Sequence, residues 1–129
     1  MIQTNKLVRD KVCQVLADKG IAKRTKMRYV KDKEYETFLY AKLMEECAEV
    51  IGSNTTEQIT EELADLLEVV EAIRTYAGVS VMELKEAKTQ KFCDKGGFFE
   101  GCILEGIEYT AGEGIRTMQK MVNHKKESK

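Results

Sequence analysis

Two consecutive segments with helical periodicity, residues 32–51 and 56–76, constrain this 129-residue chain more than any other feature. Within each segment apolar residues recur at intervals of three and four, which places them on one face of an α-helix. Asp32 is the expected N-cap of the first helix, Gly52 ends it, and Thr55 stands at capping-box spacing before the second. Helices joined by so short a polar turn pack antiparallel. The sequence therefore predicts an all-α fold, a helical bundle around an α-hairpin.

Further helices are predicted outside the hairpin. Residues 5–19 have mixed helical spacing, with Gly20 as the stop signal. Residues 80–83 repeat the capping-box pattern and begin a helix that extends to about Lys95. A weaker helix is predicted from residue 110 to about 123. The chain contains no proline, which fits helices joined by short turns.

Two segments lack clear helical periodicity. Residues 26–30 contain an aromatic and a β-branched side chain, and residues 98–107 mix aromatic, β-branched and glycine residues. Such composition is typical of short strands. We expect at most a minor β pairing between the two segments.

The chain has no feature of a membrane or secreted protein. No run approaches the roughly 18 apolar residues of a membrane span, and the first residues lack an apolar stretch of signal-peptide length. We therefore expect a cytoplasmic protein with no membrane partner. In that reducing compartment the four widely spaced cysteines are expected to be small buried apolar residues or bystanders rather than disulfides or zinc ligands: Cys13, Cys47, Cys93 and Cys102.

The net charge of −1 conceals a strong segregation of charge along the chain. Residues 1–33 hold ten Lys or Arg against three acids, whereas residues 34–76 hold eleven acids against two bases. One interpretation is that the two parts neutralise each other across the fold. The other is that a carboxylate cluster holds cations while nearby bases hold an anion.

Three acids of the predicted hairpin stand on its apolar stripes. Glu46 continues the stripe of Leu39, Leu43 and Val50, and Glu62 and Asp65 occupy equivalent positions in the second helix. Burying a lone carboxylate costs several kcal/mol or shifts its pKa until it is neutral. Ionised carboxylates at such positions must therefore be paired with bases or hold a metal ion.

The spacing of these acids favours a metal ion. Glu46 and Glu49 are three residues apart, as are Glu62 and Asp65, so each pair lies on one helix face. A single pair of this kind is usually a solvated helix face. Two pairs on consecutive helices bring four hard oxygen ligands together, which suits Mg²⁺ or Mn²⁺ and not zinc. Glu45, beside Glu46, is expected at the rim of the site.

At this point the sequence resembles a known superfamily. Residues 45–49 read Glu-Glu-Cys-Ala-Glu and, twelve residues later, residues 62–65 read Glu-Leu-Ala-Asp. This resembles the EExxE…ExxD signature of the all-α nucleoside triphosphate pyrophosphohydrolases. Residues 5–11 (NKLVRDK) and 95–98 (KGGF) resemble the terminal blocks of its small MazG-like, phosphoribosyl-ATP-pyrophosphohydrolase-like branch. Val-Cys at residues 12–13, where that branch is expected to have Ile-Pro, is a departure.

The resemblance implies an architecture and an activity. It covers residues 5 to about 107, which implies a MazG-like domain over residues 1–108 and a C-terminal extension, a weak helix with a basic tail, over residues 109–129. The implied reaction is hydrolysis of a (d)NTP or related nucleotide between its α and β phosphates. The products are a monophosphate and pyrophosphate.

Site residues follow from the resemblance and from the charge pattern. Glu46, Glu49, Glu62 and Asp65 would be the catalytic residues that coordinate Mg²⁺, for which Mn²⁺ can substitute. For Arg9, a salt bridge to Asp10 that fixes the N-terminal segment is an equally good interpretation. The residues expected to bind substrate phosphates are Lys6, Arg9, Lys11, Lys88, Lys91, Lys95, Gly96 and Gly97.

Other interpretations stay open. One is a narrow-specificity enzyme for phosphoribosyl-ATP or dUTP. Another is a non-catalytic helical interaction module whose basic N-terminal arm pairs with the carboxylates or with an acidic partner. We expect a homodimer or higher homo-oligomer, because short helices around a carboxylate-lined face leave apolar surface to cover, and we expect no nucleic-acid partner. His124, the only histidine, is expected to be incidental.

Overall fold

The computed structural model describes residues 1–110 and 112–123 and confirms the all-α fold class. Its five helices, in chain order, are α1 (Val12–Asp18), α2 (Asp32–Ile51), α3 (Thr56–Ala77), α4 (Val81–Lys95) and α5 (Gly112–Asn123). The chain divides into two compact units, Met1–Gln90 and Lys91–Lys129. None of the described helices combines the length and the apolar character that crossing a bilayer requires.

The predicted α-hairpin is the centre of the first unit. α2 and α3 run antiparallel, since the rings of Tyr35 and Tyr76, near the open end, lie 5.5 Å apart in an edge-to-face arrangement. At the same end the Tyr76 hydroxyl donates to the carbonyl oxygen of Asp32 at 3.2 Å. Among the described residues, only Leu39 of α2 and Val69 of α3 are buried, and Val69 is still 9% exposed. The packing of the hairpin therefore depends on a narrow apolar seam.

Local sequence signals set the helix boundaries. The Thr55 hydroxyl accepts a hydrogen bond from the Gln58 amide at 3.1 Å, and the Gln58 side chain accepts one from the Asn54 amide at 2.8 Å. At the start of α4 the bonds are reciprocal: Ser80 Oγ accepts from the Glu83 amide, and Glu83 Oε1 accepts from the Ser80 amide. These bonds satisfy amides that the first turn of a helix leaves without partners. The predicted capping box at Ser80 is confirmed, and at Thr55 the hydroxyl cap is confirmed while Gln58 bonds the amide one residue before the cap.

The helix predicted over residues 5–19 is shorter than expected, because α1 begins only at Val12. Residues 5–9 are irregular, and Asn5 has a left-handed φ of 49°. The irregular path lets Lys6 and Arg9 reach acids of the hairpin. Long-range ion pairs thus accompany a conformation that local spacing did not predict.

Asp32 is not the N-cap that we expected. It is the first residue of α2, its φ is 53°, and the capping position falls on Lys31 without a side-chain hydrogen bond. The tyrosine hydrogen bond to its carbonyl is what holds this end of the helix.

The expected β pairing was wrong: neither 26–30 nor 98–107 forms a strand in the structure. In the first segment the Arg28 guanidinium bonds Glu34 at 2.9 Å and lies 5.9 Å from the centre of the Phe38 ring, so it is tied to the start of α2. In the second segment Gly101 has a φ of 65°, which is incompatible with extended backbone. The contacts of Arg28 with α2 and the turn at Gly101 thus stand where β pairing was expected.

In the second unit, the end of α4 shows why two glycines stand there. Gly96 follows the helix in the left-handed conformation, with φ of 79°, which closes a helix C-terminus without steric cost. A Cβ built on Gly97 would lie 2.7 Å from the ring of Phe99. The pair therefore has a structural role in the turn itself.

The cap of α3 gives a stability prediction. Thr55→Ala removes the side-chain acceptor for the Gln58 amide, and we expect the free energy of unfolding to fall by about 1 kcal/mol. Urea denaturation followed by circular dichroism measures the change. The control is Thr60→Ala, whose exposed hydroxyl bonds the Thr56 carbonyl within the helix and whose loss should change stability by less than about 0.5 kcal/mol. Equal effects of the two substitutions would contradict the assignment of the cap.

Candidate metal centre

The hairpin brings three of the four predicted ligands together. Glu46 of α2 and Glu62 and Asp65 of α3 each offer one carboxylate oxygen, and these oxygens lie within 4.8 Å of one another. We call these three residues the carboxylate trio. The spacing of three residues puts the two α3 acids on one face, and that face meets α2 where Glu46 projects. All three residues are half-buried.

Loss of hydration and neighbouring acids disfavour the ionised forms of two members of the trio, Glu46 and Glu62. The pKa of Glu46 is raised, first by loss of hydration and then by the charge of Asp65. The pKa of Glu62 is raised by loss of hydration and by the charges of Glu49, Asp65 and Glu46. A cation among the three oxygens would offset this repulsion and favour the ionised forms.

Glu49, the fourth predicted ligand, lies outside this group. It is exposed on α2, and the three oxygens that converge in the described residues do not include its own. Its charge nevertheless raises the pKa of both Glu46 and Glu62. Glu49 therefore flanks the carboxylate trio from one turn further along α2.

Two basic side chains contact the carboxylate trio. Arg9 Nη2 donates to Asp65 Oδ1 at 2.6 Å, and this bond raises the pKa of Arg9. The structure thus pairs Arg9 with Asp65 rather than with the neighbouring Asp10. Lys42 Nζ lies 3.9 Å from Glu46 Oε1. Within residues 1–90, Glu62 is the member of the trio that forms no ion pair.

Glu45 forms ion pairs with two lysines. Its carboxylate accepts from Lys6 Nζ at 3.1 Å and from Lys42 Nζ at 3.4 Å, and the bond from Lys6 is the main reason that its pKa is lowered. Its neighbour Glu46 lies in the trio instead. The two adjacent glutamates therefore serve different partners.

The other predicted phosphate-binding residues lie along exposed surface. Lys11 is the exposed residue just before α1. Lys88, Lys91 and Lys95 are exposed on α4, and Gly96 and Gly97 follow that helix. The first of these three lysines belongs to the first compact unit and the others to the second, so their role in binding phosphate stays a prediction. His124 lies outside the described residues.

Two contacts of the trio were not predicted from the sequence: the one between Lys42 and Glu46 and the one between Arg9 and Asp65. Lys42 stands four residues before Glu46, a spacing that places the two on one helix face, so the signal was present. The bond between Arg9 and Asp65 joins residues 56 positions apart. No local pattern indicates such a pair, although the opposite charges of residues 1–33 and 34–76 are consistent with it.

Comparisons with family models, with curated proteins and with solved structures find no match for this chain. What the site is for must therefore be argued from its residues. Mg²⁺ binds oxygen ligands at about 2.1 Å, so oxygens on opposite sides of the ion are about 4.2 Å apart. The oxygens of the trio lie within 4.8 Å of one another, so a small approach of the side chains would bring them to ligand separations. The donor set fits a hard divalent cation.

The first site prediction concerns Glu62→Gln. Mg²⁺ should raise the melting temperature of the wild-type chain, because a ligand that binds only the folded state stabilises it by mass action. The substitution removes one ligand, so the rise should be lost. A thermal shift titration measures both. Glu61→Gln removes the same charge from an exposed position on the same helix and should keep the Mg²⁺ response.

The second prediction concerns pH in the presence of a chelator. The folded-state pKa of Glu62 lies above its ordinary value of 4.5, so its contribution to stability is present at low pH and is lost as pH rises through the raised pKa. Glu62→Gln cannot ionise. The variant should therefore be more stable than wild type at pH 7, and the difference should close at pH below 4.5. Urea denaturation at both pH values, with EDTA present, measures this.

Proposed function

We propose that the chain is a Mg²⁺-dependent nucleotide pyrophosphohydrolase of the all-α, MazG-like kind, acting in the cytoplasm. The observation that carries the proposal is the convergence of Glu46, Glu62 and Asp65 from two helices. These are three of the four predicted metal ligands, all of which belong to the sequence signature that resembles this superfamily. The NKLVRDK block supplies the second support, since its Arg9 bonds Asp65, one of the three carboxylates.

The proposed reaction divides the work between acids and bases. Glu46, Glu62 and Asp65 would hold Mg²⁺, with Glu49, exposed one turn further along α2, as the fourth predicted ligand. The ion, when bound, offsets the charge of the phosphates and lowers the pKa of the attacking water. Arg9 and Lys6 stand beside the carboxylates and bind phosphate oxygens of the nucleotide. No side-chain nucleophile is required.

A second candidate is the non-catalytic interaction module. It is favoured by the ion pairs of the carboxylate trio, because Asp65 already pairs with Arg9 and Glu46 lies near Lys42. In that case the acids would serve only to fasten the N-terminal segment. The module predicts no response to Mg²⁺ and no hydrolysis. A narrow specificity for phosphoribosyl-ATP or dUTP is a variant of the enzyme proposal, and a nucleotide screen decides it.

The test of the enzyme proposal is release of pyrophosphate from a panel of nucleotides with Mg²⁺, with the products identified by chromatography. We expect a monophosphate and pyrophosphate, and a fall in kcat of at least about 100-fold in Glu62→Gln. Glu61→Gln is the matched control and should retain activity. Activity that survives in Glu62→Gln, or a complete absence of pyrophosphate across the panel, would contradict the proposal.

The proposed enzyme is a homodimer, and the hairpin offers a surface for it. On α2 the exposed side chains of Tyr40, Met44, Cys47 and Ile51 recur at intervals of four, three and four, which forms one stripe along the helix. The stripe is strongly exposed: Met44 is 74% and Ile51 is 84% exposed. Such a continuous apolar stripe is typical of an interface.

A matching stripe runs along α3, over Ile59, Leu63, Leu66 and Val70. Both stripes lie about 100° from the buried seam, because Tyr40 and Val70 each follow a buried residue by one position. In an antiparallel pair, the same rotation on both helices leads to the same side of the hairpin. The two stripes therefore form one apolar face, which a second hairpin can cover in a four-helix arrangement.

The dimer gives a further prediction. Met44→Lys places a charge in the middle of the apolar face, and we expect it to convert a dimer into a monomer, measured by light scattering. Lys33→Met, at the exposed start of α2, should leave the mass unchanged. A wild-type chain that is monomeric at all concentrations would refute the dimer without affecting the metal site.

A further inference from the structure

The N-terminal segment crosses the helical hairpin and is tied to both of its helices. Lys6 Nζ donates to Glu45 Oε1 of α2 at 3.1 Å, and Arg9 Nη2 donates to Asp65 Oδ1 of α3 at 2.6 Å. The two bases are three residues apart, in a stretch without regular secondary structure. We call residues 5–9 the N-terminal strap.

The strap also packs against α2. Leu7 is half-buried, unlike its neighbours on either side. A small cavity of about 90 Å³ lies under the strap. It is lined by Asn5, Lys6 and Leu7 from the strap and by Phe38, Ala41, Lys42 and Glu45 from α2. Residues 5–7 of the strap therefore lie against α2, whereas Arg9 at its other end bonds Asp65 of α3.

The two bases of the strap bond acids that differ in their relation to the trio. Glu45 lies outside the carboxylate trio, whereas Asp65 belongs to it. In the ion pair with Asp65, the side chain of Arg9 is 56% exposed and that of Asp65 is 41% exposed. Ion pairs as exposed as this contribute little to stability, and water or another ion replaces them readily. The contact is therefore suited to exchange.

We propose that Arg9 is an exchangeable counter-ion of the trio, which a divalent cation displaces from Asp65 and which then binds the phosphates of the nucleotide. The proposal rests on the proposed function, since it assigns a regulation to that same site. A guanidinium bonded to one Asp65 oxygen and a cation on the same carboxylate repel each other. Binding of the metal ion and release of Arg9 are therefore coupled.

The coupling has a consequence for substrate binding. Once released, the guanidinium stands next to the site with its five N–H donors free, and these match the oxygens of a phosphate. Because coupling between two ligands is reciprocal, an anion that takes Arg9 away from Asp65 also tightens the binding of the metal ion. The strap would thus favour the joint binding of cation and polyphosphate over the binding of either alone.

The test is the affinity for Mn²⁺ alone, measured by electron paramagnetic resonance of the free ion. Arg9→Gln removes the competitor, and we expect Mn²⁺ to bind about tenfold more tightly than to the wild-type chain. Arg9→Lys keeps the charge and should fall between the two. The affinity for inorganic pyrophosphate in the presence of Mn²⁺, measured by calorimetry, should weaken in Arg9→Gln.

Two controls separate the exchange from a general effect of charge. Arg28→Gln removes an arginine from an exposed ion pair of the same kind, with Glu34 at 2.9 Å, and should leave the affinity for Mn²⁺ unchanged. Lys6→Gln removes the other tie of the strap and should tighten Mn²⁺ binding by less than twofold. Circular dichroism verifies that each variant is folded.

The outcomes are distinguishable. Weaker or unchanged Mn²⁺ binding in Arg9→Gln would overturn the exchange, because Arg9 would then orient Asp65 or stand apart from it. An equal gain in Lys6→Gln would overturn it as well. Failure of both the wild-type chain and Arg9→Gln to bind Mn²⁺ at all would overturn the proposed metal site together with the exchange.

Discussion

Repulsion among three carboxylates is the interaction on which the interpretation of this structure depends. Glu46, Glu62 and Asp65 are held within 4.8 Å of one another, although the charge of Asp65 raises the pKa of both Glu46 and Glu62. What opposes that repulsion is the packing of α2 on α3 around Leu39 and Val69. A solvated helix face would let such acids turn apart. Here the seam between the helices keeps them together, which is the arrangement expected of a cation site and costly without a counter-charge.

The opposite charges of residues 1–33 and 34–76 meet around the carboxylate trio. The first interpretation drawn from this charge segregation, neutralisation across the fold, is supported by two ion pairs, and the second, a cluster that holds cations, stays a prediction. The basic N-terminal residues do neutralise acids of the hairpin, through Lys6 and Glu45 and through Arg9 and Asp65. The carboxylate cluster also forms, and among the bases of residues 1–90 none forms an ion pair with Glu62. Partial neutralisation leaves the cluster with net negative charge, as the binding of a divalent cation requires.

Features of the hairpin that depend on near neighbours could be predicted from the sequence. The hydroxyl and the amide of a capping box lie three residues apart, so Thr55 and Ser80 mark the starts of their helices directly. The apolar period of 3.6 residues placed Glu46 in the seam for the same reason. Features that depend on distant residues could not be predicted. The irregular path before α1 goes with contacts to residues more than thirty positions away, and the bond between Arg9 and Asp65 has no counterpart in local spacing. Glu49, three residues after Glu46, is turned about 60° away from it around α2, and it is exposed.

The hydrogen bond from Tyr76 to the Asp32 carbonyl closes the end of the hairpin that the turn leaves open. With a turn at one end and this bond at the other, α2 and α3 are prevented from sliding past each other by a helical turn of about 5.4 Å. A slide of that size would carry Glu62 past Glu46 and disperse the three carboxylates. The Tyr76 hydroxyl thus helps to keep the register of the two helices, and with it the positions of the three carboxylates, although it does not contact them.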